Sequence, residues 1–136
     1  MHIERTGHFR IPQPLSAAMF WVSPEGERTW VEGWDPRYLH DTVFTTDHHH
    51  EHTVWIVLRY SASEGVAEYA RLTPGSRVGT VTVTGVERDG GTDLQVTYKL
   101  TSLTADGERV LAAMTDEAYA AMMREWQALI TAAIAR

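Results

Sequence analysis

The segment Thr115–Ala135, TDEAYAAMMREWQALITAAIA, decides how the chain is read. Tyr119, Met122, Met123, Trp126, Leu129, Ile130, Ala133 and Ile134 recur at the steps that put them on one face of a helix. Arg124, Glu125, Gln127, Thr131 and Ala132 fall on the other face and can meet water. Thr115 stands where an N-cap is needed, and Asp116 and Glu117 place negative charge at the positive end of the helix dipole. Such a helix is about 30 Å long, roughly the width of a small domain. A stripe of that length needs a broad apolar surface to receive it.

The preceding half of the chain supplies one. From Arg77 to Glu87, Gly79, Val81 and Val83 alternate with Thr80, Thr82 and Thr84; from Thr92 to Leu103, Leu94, Val96, Tyr98 and Leu100 alternate with Asp93, Gln95, Thr97, Lys99 and Thr101. That is the period of a strand with one dry and one wet face, and Asp89-Gly90-Gly91 between the two runs is a hairpin turn signal. Asp41–Thr46, Thr53–Tyr60 and Val66–Leu72 are rich in β-branched and aromatic residues and read as further strands. An antiparallel sheet with one dry face needs a cover, and the C-terminal helix is the available one.

Towards the N-terminus, Ile3–Ile11 reads as a strand ended by Pro12 and Pro14. Pro14–Val22 reads as a short buried helix, and Ser23-Pro24 opens a second one running to Trp30 before Gly33-Trp34-Asp35-Pro36 breaks it. Thr104–Met114 reads as a helix bent at Gly107. The pattern is α+β: a strand, two short helices, an antiparallel meander and a long C-terminal helix.

Composition narrows the class further. At 136 residues the chain fits one domain spanning 1–136. A net charge of −6 and the lack of a basic stripe give no support to nucleic-acid binding. The absence of cysteine excludes disulfides, zinc-thiolate sites and thiol chemistry. Met1–Arg10 lacks an apolar signal core, and no apolar run approaches membrane-spanning length, so a soluble, cytoplasmic protein is expected.

The order of elements, with Phe9-x-Ile11-Pro12-x-Pro14, Met19-Phe20, Ser23-Pro24-x-Gly26-Glu27-x-x-Trp30-x-x-Gly33-Trp34-x-Pro36, Tyr69-x-Arg71-x-x-Pro74-Gly75 and Tyr98-x-Leu100-Thr101-x-Leu103, resembles small bacterial members of the START/SRPBCC superfamily. Val43-Phe44-Thr45-Thr46, Thr53-Val54-Trp55 and Gly91-Thr92 continue the resemblance across nearly the whole chain. It implies a helix-grip fold, in which a curved antiparallel sheet wraps the C-terminal helix. Five strands are counted after the helix pair, where larger members have six. The superfamily includes lipid carriers, polyketide cyclases and co-chaperone-like modules, so the motifs speak for fold more than for chemistry.

That fold implies a cavity between sheet and helix, made of apolar walls and a few polar anchors. Its inward positions would include Trp55, Tyr69, Arg71, Tyr98, Met122, Met123 and Trp126, with Trp30 and Trp34 near an entrance. Taken singly, each large apolar residue is adequately explained as core. Arg71 shares the strand parity of Tyr69. It is either a cavity guanidinium wanting a carboxylate or phenolate, or the partner of Glu68 or Glu32, or exposed.

The run Asp47-His48-His49-His50-Glu51-His52 has the residue types of a metal site, yet it falls where a hairpin loop is expected and has no distant partner, so no metal is assigned. No nucleophile signature or phosphate loop occurs, and no cofactor is implied. The leading expectation is a binding protein for a small apolar or aromatic molecule. A polyketide cyclase or dehydratase-like enzyme using the same pocket, and a protein-interaction module, are the alternatives. Oligomeric state is left open, a dimer included.

Overall fold

The computed structural model describes residues 1–136. The elements are β1 (His2–Ile11), α1 (Leu15–Phe20), α2 (Pro24–Glu27), β2 (Arg37–His40), β3 (Val43–His48), β4 (Glu51–Ser61), β5 (Val66–Thr73), β6 (Arg77–Arg88), β7 (Gly91–Ser102), α3 (Ala105–Ala113) and α4 (Asp116–Ile134). Seven strands form one antiparallel sheet in the order β1-β7-β6-β5-β4-β3-β2, so the first strand closes against the last. The sheet curls about α4 in the helix-grip arrangement.

Alternation sets the faces. Leu94, Val96 and Leu100 of β7 and Val81 and Val83 of β6 are buried on the concave side, while Gln95 and Lys99 are exposed on the other. Gly79 lies on the concave side opposite Arg71 of β5. A Cβ at this position would sit 1.9 Å from the Lys99 carbonyl oxygen, so only glycine lets β6 follow β7 there.

α4 carries the cap read from the sequence, with Thr115 Oγ1 accepting from the Ala118 N–H at 3.1 Å. Tyr119, Met123, Ile130 and Ala133 are buried, and the Tyr119 hydroxyl donates to the Val96 carbonyl at 2.7 Å, pinning the helix to the sheet. A satellite core of Ile3, Leu100 and Leu111 sits under α3.

Four readings are corrected. The sixth strand after the helix pair is β2, whose four residues are all exposed; an edge strand with no buried face leaves no alternation to read. α2 stops at Glu27, after which turns replace the helix expected to reach Trp30. Gly107 does not bend α3: it lies in the first turn, where its N–H is capped by Thr104 Oγ1. Trp126, expected to be buried, is half-buried, and Leu129 is 39% exposed, because that edge of the apolar stripe borders the open space beneath α4.

Ile130 is fully buried between α4 and the sheet. Ile130→Ala is expected to lower unfolding free energy by about 2–5 kcal/mol in urea titration, as large-to-small core changes do. A loss near zero would show that α4 is not clamped to the sheet.

Candidate functional site

The open space beneath α4 is a cavity of about 490 Å³. Trp55, Tyr69, Arg71, Val81, Val83 and Tyr98 line it from the strands, Met122 and Trp126 from α4, and Val22, Glu27, Trp30 and Trp34 from the segment around α2. Exposed Glu32, His49, Glu125 and Leu129 mark its opening. Of the residues singled out in the sequence, Met123 does not line it. The 100° step from Met122 turns Met123 onto β1, where it packs over Gly7. Trp30, expected near the entrance, is a buried wall residue in edge contact with Trp126. Trp34 is half-buried and does border the cavity.

The indole N–H groups of the wall are used within the protein. Trp30 donates to the Trp21 carbonyl at 2.8 Å, Trp34 to the Pro24 carbonyl at 2.9 Å, and Trp55 to Thr46 Oγ1 at 3.0 Å. The rings are fixed by these bonds and leave apolar surface for the cavity. Tyr69 is held in the same way, its hydroxyl donating to the Val22 carbonyl at 3.0 Å; burial holds its pKa far above the ordinary range.

Three polar groups are different. Arg71, on the concave side with Tyr69, meets neither Glu68 nor Glu32. One terminal nitrogen donates to Thr73 Oγ1 at 2.6 Å, its Nε is buried without a partner, and its Cζ lies 5.0 Å from the centre of the Trp55 ring. Burial, reinforced by the nearby Arg77 charge, lowers its pKa to about 10, so it remains a cation at neutral pH. The Tyr98 hydroxyl has no protein partner; burial raises its pKa, while Arg71 pulls it down and Glu27 pushes it up.

Glu27 is the residue the sequence reading missed. Its side chain is half-buried in the cavity wall and has no hydrogen-bond partner, and burial raises its pKa well above the ordinary 4.5. Its placement rests on Ser23, whose Oγ accepts from the Gly26 N–H at 3.1 Å, and on Gly26, where a Cβ would come within 1.8 Å of the Phe20 carbonyl oxygen. The available signal was local: Glu27, Trp30 and Val31 stand at one-turn spacing, and both apolar members line the cavity.

The histidine run forms the β3–β4 hairpin. His49 and His50 occupy its turn with φ of 52° and 64°, and His48 pairs with Glu51 across it, so the extended geometry that would align His48, His50 and His52 is broken. A His48 ring nitrogen lies 2.9 Å from the Glu32 carbonyl oxygen, and His52 Nδ1 lies 2.9 Å from an Asp47 carboxylate oxygen. Burial lowers the His48 pKa. No set of three histidine or acidic side chains converges as metal ligands would.

No family model and no curated protein matches the chain in sequence. Solved structures do match its fold. A conserved protein from Geobacillus kaustophilus aligns with a TM-score of 0.70 at 12% identity, over 98% of this chain and 95% of that one. Ara h 8.0201 aligns over all of both chains with a TM-score of 0.69 at 8% identity. Norcoclaurine synthase from Thalictrum flavum gives 0.66 at 8% identity, over 96% of this chain and 87% of that one. The chain shares the helix-grip fold of these solved structures.

The isolated Glu27 carboxyl makes stability depend on pH. In the unfolded chain it loses its proton near its ordinary 4.5, whereas in the folded protein it keeps the proton to higher pH. Its contribution to stability is thus fully present below 4.5 and declines as pH rises towards the folded value. Glu27→Gln removes that decline. Its melting temperature is expected to match wild type near about pH 4 and to exceed it at neutral pH. Equal melting temperatures at both pH values would place the carboxyl in water.

Proposed function

We propose that the protein binds a small apolar or aromatic molecule in the cavity beneath α4, with Trp30, Trp34, Trp55, Tyr69, Arg71, Tyr98, Met122 and Trp126 as its contacts. The carrying observation is open space of about 490 Å³ bordered by polar groups without partners, in an interior whose other polar atoms are almost all satisfied. That volume falls among small-molecule sites, which span about 300–1,000 Å³. A buried polar group left unpaired is costly, and a bound molecule that pairs it offsets the cost. One protein of similar fold is named for the synthesis of a small molecule, norcoclaurine, which accords with this use of the fold. The reading takes residues 1–136 as one binding domain in the cytoplasm and needs neither cofactor nor nucleic-acid partner.

Glu27 favours a second reading, a cyclase or dehydratase-like enzyme in the same cavity. A carboxyl whose pKa is raised by burial and which faces a cavity has the character of a general acid or base. Under that reading Glu27→Gln retains ligand and loses turnover.

The neutral fluorophore N-phenyl-1-naphthylamine probes the cavity without engaging a charge. One molecule is expected to bind per chain, with energy transfer from tryptophan, and Met122→Trp is expected to weaken binding about tenfold by filling the space. Undiminished binding to Met122→Trp would move the probe elsewhere and turn attention to the protein's outer surfaces.

A further inference from the structure

Taking the cavity as a ligand site, we propose that its occupant is an aromatic monocarboxylate whose carboxylate is held by the Arg71 guanidinium. The charge arrangement leads to this assignment. The acid nearest this corner, Glu51, is already committed to Arg77: the two terminal nitrogens of Arg77 each donate to a different Glu51 oxygen at 2.9 Å. Arg71 is left as a cation with one hydroxyl acceptor, Thr73 Oγ1, which is itself tied to Thr53 Oγ1 at 2.8 Å. A guanidinium has five N–H donors in one plane, and a hydroxyl occupies only one of them. A planar carboxylate answers both the missing negative charge and the unused donors.

The stoichiometry of charge argues for a monoanion. Arg77 is spent on Glu51, and no lysine lines the cavity. His48 and His49 stand at the opening with Glu32 and Glu125, and the remaining acid inside, Glu27, has no cation opposite it. A phosphate dianion would find one positive charge where it needs two. The shape argues for an aromatic body. The Trp55 ring lies against the guanidinium without using its in-plane donors, and Trp34, Trp126 and Tyr98 complete a wall of rings. The unpartnered Tyr98 hydroxyl supplies a second donor towards the acid group or an oxygen further along the ring system.

Isothermal titration calorimetry with 2-naphthoate and its neutral counterpart 2-naphthylmethanol tests the assignment on wild type and on Arg71→Met. Wild type is expected to bind the naphthoate at least about tenfold more tightly than the alcohol, since hydrogen bonds between charged partners carry that much discrimination. In Arg71→Met the preference is expected to fall below about twofold while the melting temperature holds or rises, because no ion pair is broken. Equal affinities in wild type, or binding of neither naphthalene when the neutral fluorophore still binds, overturn the carboxylate assignment and leave the cavity reading standing. Failure of all three probes overturns both. A preference that survives in Arg71→Met overturns the role of Arg71. The wild-type comparison decides the carboxylate question even if the variant does not fold.

Discussion

A guanidinium buried without a counter-charge is the constraint on which the rest of this structure turns. Removing a cation from water costs several kcal/mol even after the protein relaxes, and an opposite charge usually repays it. Here the neighbouring Arg77 has that arrangement, doubly bonded to Glu51, while Arg71 one hairpin step away has a threonine and an indole face. Two arginines in one corner of a sheet, each with a buried unpartnered Nε but only one paired with an acid, differ in what they face. Arg77 is closed in by protein, whereas Arg71 borders the cavity. A cation kept incomplete at the edge of an apolar space fits a partner that comes and goes.

The fold holds this arrangement with bonds that do not involve a ligand. Thr46 fixes the Trp55 indole, the Thr53–Thr73 pair steadies the hydroxyl that meets Arg71, and Tyr69 is tied across to Val22. α4 closes the roof because Tyr119, Met123 and Ile130 clamp it to the sheet, while Met122, Trp126 and Leu129, the other side of the same stripe, border the cavity. A single helix face therefore does two jobs, with packing along one edge and cavity along the other. Wall side chains already hydrogen-bonded within the protein have less freedom to lose on binding.

The parts legible in the sequence were those written as periodicity. The α4 stripe, the alternation of β6 and β7 and the Asp89-Gly90 turn are each a local pattern that tertiary structure left unchanged. β2 was not legible because an exposed edge strand has no apolar period. The difference between Met122 and Met123 was not legible either: both lie on the apolar stripe, and only the position of β1 separates core from cavity. The parity of Tyr69 and Arg71 carried the concave placement of the arginine, yet whether an acid met it depended on which arginine claimed Glu51, a contact between residues 26 positions apart. Glu27 was hidden for the opposite reason, since its surroundings in sequence, a capped turn rich in charge, are those of a surface helix.

The most direct measurement is a crystal structure of the protein grown with 2-naphthoate. The account predicts electron density for the naphthalene among Trp34, Trp55 and Trp126, with the carboxylate within hydrogen-bonding distance of Arg71 and α4 in place above it. Side chains collapsed to fill the cavity, Arg71 turned out to solvent, or the naphthoate seated on the outer face of the sheet would contradict it.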